Sequence, residues 1–119
     1  MKISSTASDD IQVVHVDGAV TTIEDCDQIW RVMRGLLTRE HRQIVLDLTA
    51  CPAVAEDIRR HWSQNLLQVS DNYHGKAVIL NPPDDLTEWM ERAGAKPLTP
   101  WFYKLEEAVA ACRHATGTS

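Results

Sequence analysis

Apolar and polar residues alternate over Ile11-Gln12-Val13-Val14-His15-Val16, and Asp17-Gly18 follows as a turn pair, which predicts a strand. From Glu24 the period lengthens. Cys26, Ile29, Met33 and Leu36 fall at helical spacing, with Trp30 and Leu37 widening the stripe. Ile44-Val45-Leu46-Asp47-Leu48 is a nearly continuous apolar run, as in a strand covered on both faces. A second helix is expected from near Glu56, with Ile58, Trp62, Leu66, Val69 and Tyr73 on one face and Arg59, Arg60, Gln64, Gln68 and Asp71 on the other. Gly75 ends it, and Lys76 to Leu80 reads as the next buried strand. Pro82-Pro83-Asp84 breaks the chain and caps a short helix with Leu86, Trp89 or Met90, and Ala93 inward, ending at Gly94. A last strand is expected at Leu98 to Phe102, at an edge because of Thr99-Pro100, then a helix from Lys104 to about Cys112. Residues 1–9 and 114–119 read as frayed ends, although Lys2 to Thr6 could add an edge strand.

Strands thus alternate with helices at roughly 30-residue intervals, with no repeat or internal linker. The expected fold is α/β: a single mixed, mainly parallel sheet of four to five strands flanked by about four helices. One domain is expected over residues 1–119, with its core at about 10–112. At 119 residues such a domain buries roughly two-thirds of its unfolded surface, enough for a core without disulfides or metals.

Charge and cysteine usage narrow the function classes. The net charge of -5, with Arg59-Arg60 the sole adjacent basic pair, disfavours nucleic acid as a partner, since phosphate contacts need clustered cations. No apolar run approaches the roughly 20 residues that span a bilayer, and the N-terminus lacks a signal-type apolar segment. Cys26, Cys51 and Cys112 are odd in number and widely spaced, as in reduced thiols of a cytoplasmic protein.

Several segments in order resemble a known family. Val16-Asp17-Gly18-Ala19-Val20 resembles an early strand and Gly-x-Leu turn. Val45-Leu46-Asp47-Leu48-Thr49 matches an "LDL(S/T)" central strand. Gly75-Lys76-Ala77-Val78-Ile79-Leu80 matches the glycine and strand after the second helix. Met90-Glu91-Arg92-Ala93-Gly94-Ala95 resembles a "Leu-x-x-Ala-Gly-Leu" helix end, and Lys104 to Ala111 a closing "x-x-Glu-Glu-Ala" helix. Together, over about residues 10 to 111, they resemble the STAS domain of bacterial anti-sigma factor antagonists and of sulfate-transporter tails. The resemblance implies a non-enzymatic protein-interaction module of regulatory partner switching. It also allows a nucleotide- or lipid-sensing domain, or an accessory subunit of a membrane transport complex.

The chain departs from the family where its chemistry sits. Antagonists carry Asp-Ser-(Ser/Thr)-Gly at the start of the second helix, and a partner kinase phosphorylates the first Ser. Ala55-Glu56-Asp57-Ile58 stands there, so the acceptor position is Glu56, or Asp57 with a one-residue slip. The nearest hydroxyls are Thr49 and Ser63, and Thr21 replaces a common acidic residue after the early turn. A carboxylate at a helix N-terminus is favoured by the helix dipole and carries about one charge where a phosphate carries about two. Glu56 or Asp57 could fix the module in one state, or Asp57 could simply cap the helix for about 1 kcal/mol. The family's partner surface would comprise Pro52, Ala53, Val54, Glu56, Asp57, Arg59, Arg60 and Ser63. The alternative is a solvated face with Glu56–Arg60 and Asp57–His61 pairs of a few tenths of a kcal/mol.

Other chemistries find little support. Cys51 lies between a strand and a helix, but Arg59 and Arg60 stand too far along for a Cys-x5-Arg phosphatase loop, and the loop has no glycine. His15, His41, His61, His74 and His114 offer no metal-ligand spacing, and Asp57 with His61 lacks a third ligand. No phosphate-binding glycine loop or nucleophile elbow appears. The four tryptophans sit on apolar faces or at element ends, as core residues do. No catalytic residue, cofactor or metal is expected, and the oligomeric state is open.

Overall fold

The computed structural model describes residues 1–8, 10–93 and 99–117, and side chains as far as residue 113. In chain order the elements are β1 (Lys2–Ser8), β2 (Ile11–Asp17), α1 (Ile23–Thr38), β3 (Gln43–Asp47), a 3-10 turn (Glu56–Ile58), α2 (Arg59–Tyr73), β4 (Lys76–Leu80), α3 (Asp84–Arg92), β5 (Trp101–Phe102) and α4 (Leu105–Gly117). The five strands form one sheet in sequential order. β1 pairs antiparallel with β2, and the remaining neighbours are parallel. The expected mixed, mainly parallel sheet with four helices is what forms.

Strand alternation divides the apolar residues between two cores. Val14, Val16, Ile44, Leu46 and Ile79 face one way and pack with Ile29, Met33 and Leu36 of α1, Trp62, Leu66 and Val69 of α2, and Leu86 and Met90 of α3. Ile11, Val13, Val45, Val78 and Leu80 face the other way, where α4 contributes Ala108 and Cys112. Burial on both sides explains why β3 and β4 read as continuous apolar runs. All six residues of the predicted α1 stripe are buried. Trp30, Trp62 and Trp101 are buried and Trp89 half-buried, which accords with a core role.

α1 begins with a capping box. The Thr22 hydroxyl accepts from the Asp25 amide at 3.1 Å, and the Asp25 carboxylate accepts from the amides of Thr21 and Thr22. The hydrogen bond from the Thr21 amide is the main reason the Asp25 pKa lies below its usual value.

Several boundaries differ from the sequence reading. The edge strand offered at Lys2 to Thr6 forms, and extends over Lys2–Ser8 in place of a frayed end, in register with β2 from Lys2↔Asp17 to Ser8↔Ile11. The last strand is only Trp101–Phe102, and α4 runs on to Gly117. α3 starts after Pro83 without a side-chain cap, so Asp84 is its first residue and not its cap. Its inward residues are Leu86, Thr87 and Met90, while Ala93 is exposed. Gly94, Ala95 and Leu98 lie outside the described residues.

Candidate protein-interaction surface

The segment after β3 is held as a short extra rung. The Gly18 amide donates to Ala50 O at 3.0 Å, the Val20 amide to Ala53 O at 3.0 Å, and the Ala55 amide to Val20 O at 2.9 Å. Val20 and Val54 form an isolated parallel bridge and both are fully buried. These backbone bonds satisfy groups that a buried loop would otherwise leave unpaired. They also bring the loop after β3 beside the loop after β2.

The structure separates the sequence-predicted site residues into two sets. Pro52, Glu56, Asp57 and Arg60 are exposed, and Ala53 and Ser63 are half-buried. Val54 and Arg59 are buried and correct the reading that placed them on the surface. Val54 is committed to its bridge with Val20. Arg59 is only 8% exposed; its Nε donates to Val54 O at 2.9 Å and its guanidinium pairs with Asp85 at 3.0 Å. Arg59 therefore ties the loop after β3 to the first turn of α3.

Glu56 and Asp57 also differ from the capping expectation. They occupy the 3-10 turn, Ile58 takes the N-cap position of α2, and neither start has a side-chain cap bond. Asp57 thus carries an exposed carboxylate without being the cap. The Asp57–His61 pair is replaced by one between helices: His61 Nε2 meets Asp27 Oδ1 of α1 at 2.9 Å, the main cause of the lowered Asp27 pKa.

Sequence reasoning missed one surface residue. Ile23, the first residue of α1, is 51% exposed and lines a shallow groove with Thr21, Thr22, Glu24, Asp57 and Ile58. The signal was available, since Ile23 is an apolar residue lying before the six-residue stripe that α1 buries. The groove places an apolar contact among carboxylates at the acidic turn.

At the C-terminal end of the sheet a hydrogen-bonded row crosses three strands. Thr6 Oγ1 and His15 Nε2 are 2.9 Å apart, and His15 Nδ1 is 2.8 Å from Asp47 Oδ2. Asp47 Oδ1 accepts from the Thr49 amide at 2.9 Å and from its hydroxyl, which in turn accepts from Asn81 Nδ2 at 2.9 Å. Burial would raise the Asp47 pKa, but the two hydrogen bonds from Thr49 and the His15 contact outweigh it and hold the carboxyl below its usual value. Stability linked to Asp47 is therefore present above the unfolded-chain pKa of about 3.9 and is lost as pH falls through the lower folded value. An acid titration followed by circular dichroism should show a flatter acid limb in Asp47→Asn than in the wild type.

The three cysteines are buried and free. Burial pushes Cys26 and Cys112 up to about 11 and also raises Cys51, the opposite of what a nucleophilic thiol needs. Among the described residues no cluster of three His, Cys, Asp or Glu is placed to hold a metal ion, and no helix is long and apolar enough to cross a membrane.

No protein-family model and no curated protein sequence matches the chain. Solved structures do. TM1081 of Thermotoga maritima superposes with a TM-score of 0.79 at 14% identity, covering 93% of this chain and 94% of that one. An anti-sigma factor antagonist from Mycobacterium paratuberculosis gives 0.76 at 15% identity, with 94% and 93% covered. The anti-sigma factor antagonist SpoIIAA in its unphosphorylated form gives 0.67 at 13% identity, with 94% and 98% covered. With its sequential five-stranded sheet and helices on both faces, the chain has the fold of the anti-sigma factor antagonists, a STAS-type fold.

Proposed function

We propose that this chain is a non-enzymatic, cytoplasmic STAS-type interaction module that takes part in regulatory partner switching without serine phosphorylation of its own. The supporting observation is the exposed acidic turn Glu56-Asp57 at the start of α2, beside the groove that presents Ile23. In this reading the two carboxylates supply a permanent negative charge where related modules acquire one by phosphorylation. Ile23 supplies the apolar contact, because desolvated apolar anchors ringed by polar groups carry most of the energy at protein interfaces. Pro52, Ala53, Arg60 and Ser63 complete the surface, with Arg59 and Val54 supporting it from beneath.

The test is affinity capture from native host lysate, read by mass spectrometry, with wild type beside Ile23→Asp and a Glu56→Ser/Asp57→Ser double variant. Wild type should retain a kinase-like or anti-sigma protein, Ile23→Asp should lose it, and the serine variant should change its retention. Equal retention by all three removes the proposed surface. Stoichiometric labelling of residues 49–63 by a cognate switch kinase with ATP removes the phosphorylation-free part.

A further inference from the structure

The Thr6–His15–Asp47 row has the connectivity of an activated hydroxyl. A carboxylate can only accept hydrogen bonds, so the contact between Asp47 Oδ2 and His15 Nδ1 at 2.8 Å places a proton on Nδ1. In the neutral ring Nε2 then keeps its lone pair, aimed at the Thr6 hydroxyl 2.9 Å away. A nucleophile within reach of a base, and the base oriented by a third group, is the arrangement that activates hydroxyls in covalent catalysis. Asp47 is itself fixed by the amide and hydroxyl of Thr49. The three residues stand on β1, β2 and β3, whose pairing sets their spacing.

A purely structural role accounts for the Asp47 end of the row but poorly for its Thr6–His15 end. Seven residue pairs already hold β1 on β2. Thr6 is exposed and the His15 side chain is 37% exposed, so the Thr6–His15 hydrogen bond contributes little beyond what water would supply. The same exposure leaves the hydroxyl open to a reagent in solution.

We propose that Thr6 is a covalent acyl-acceptor site, with His15 as its general base and Asp47 as the residue that orients the base. Thr6 Oγ1 attacks the carbonyl carbon of an activated acyl donor, forming an ester bond as the donor's bond to its leaving group breaks. The Thr6 proton passes to His15 Nε2 and from there to the leaving group, so the ring returns to its neutral state. Thr6 stands on a solvent-exposed strand, where water solvates the developing oxyanion. Donors with good leaving groups (aryl esters, acyl phosphates, thioesters) are therefore substrates and amides are not. This site is separate from the acidic turn and does not depend on the partner-switching reading.

The test is incubation of the full chain with p-nitrophenyl acetate, followed by intact mass and peptide mapping. One acetyl group should map to Thr6, persist in Thr6→Ser and be absent in Thr6→Ala. His15→Gln keeps polar contacts without the basic nitrogen and should slow the adduct by about a hundredfold, the scale of general-base assistance. Acetylation confined to the N-terminal amine and lysines overturns the proposal, as does Thr6 acetylation at the same rate in His15→Gln. The wild-type map decides even if a variant misfolds, because an unactivated threonine does not compete with exposed amines for an aryl ester.

Discussion

Arg59→Ala should lower the unfolding free energy by about 2–3 kcal/mol, measured by urea denaturation. Truncation removes the donor to Val54 O, and Val54 is fully buried, so that carbonyl bears most of the cost of going unpaired. The ion pair adds less, because the Asp85 side chain is 37% exposed and solvent screens it. The rest is packing along the arginine stem. Arg59→Met keeps much of that packing and should recover part of the loss, which separates the two contributions. Because Arg59 fastens the loop after β3, Arg59→Ala should also open residues 50–55 to proteolysis before the sheet unfolds. A loss below about 0.5 kcal/mol, the range of an ordinary surface substitution, would contradict the anchoring role.

Gly75→Ala should cost about 2–3 kcal/mol, the upper range for overpacking a tight site. A Cβ there would stand 2.7 Å from Arg42 O and 3.1 Å from side-chain carbons of Leu37 and Val69. Arg42 O cannot yield cheaply, since it already accepts from the Lys76 amide at 2.7 Å, next to the Gln43↔Lys76 pair that opens the β3–β4 ladder. Gly35 in α1 provides the control, as a Cβ there meets nothing within 4 Å. Gly35→Ala should stabilise by about 0.5–1 kcal/mol through helix propensity alone. Opposite signs for one substitution at two glycines would locate the constraint in space and not in the residue type.

The sheet and its helices were legible because each element carries its own period. The α1 stripe and the runs at β3 and β4 report burial that depends on nothing distant. The candidate surface was half legible. Glu56 and Asp57 are exposed as the sequence suggests, but the burial of Arg59 depends on Asp85, 26 residues further on, and on a loop carbonyl that periodicity does not encode. A local clue existed, since Arg59 stands three and seven residues before Trp62 and Leu66 and so shares their stripe. Val54 could not be read for the same reason: its burial is set by Val20, across the β2–α1 turn. The Thr6–His15–Asp47 row joins residues 9 and 32 positions apart, and only strand register brings them together. β1 itself was hard to read because Ser4, Ser5 and Thr6 lack the apolar alternation that marks a strand, as suits an edge strand that covers little core.

The second core, over Ile11, Val13, Val45, Val78 and Leu80, is closed by Ala108 and Cys112 of α4. A chain emerging from the ribosome can complete the opposite core, with α1, α2 and α3 in place, while this face is still bare. Until residues 105–112 are out, the nascent domain presents an apolar sheet to its surroundings, the kind of surface that chaperones engage and that drives aggregation. Truncation before α4 therefore yields a chain that keeps every described strand and leaves one side of its sheet unprotected.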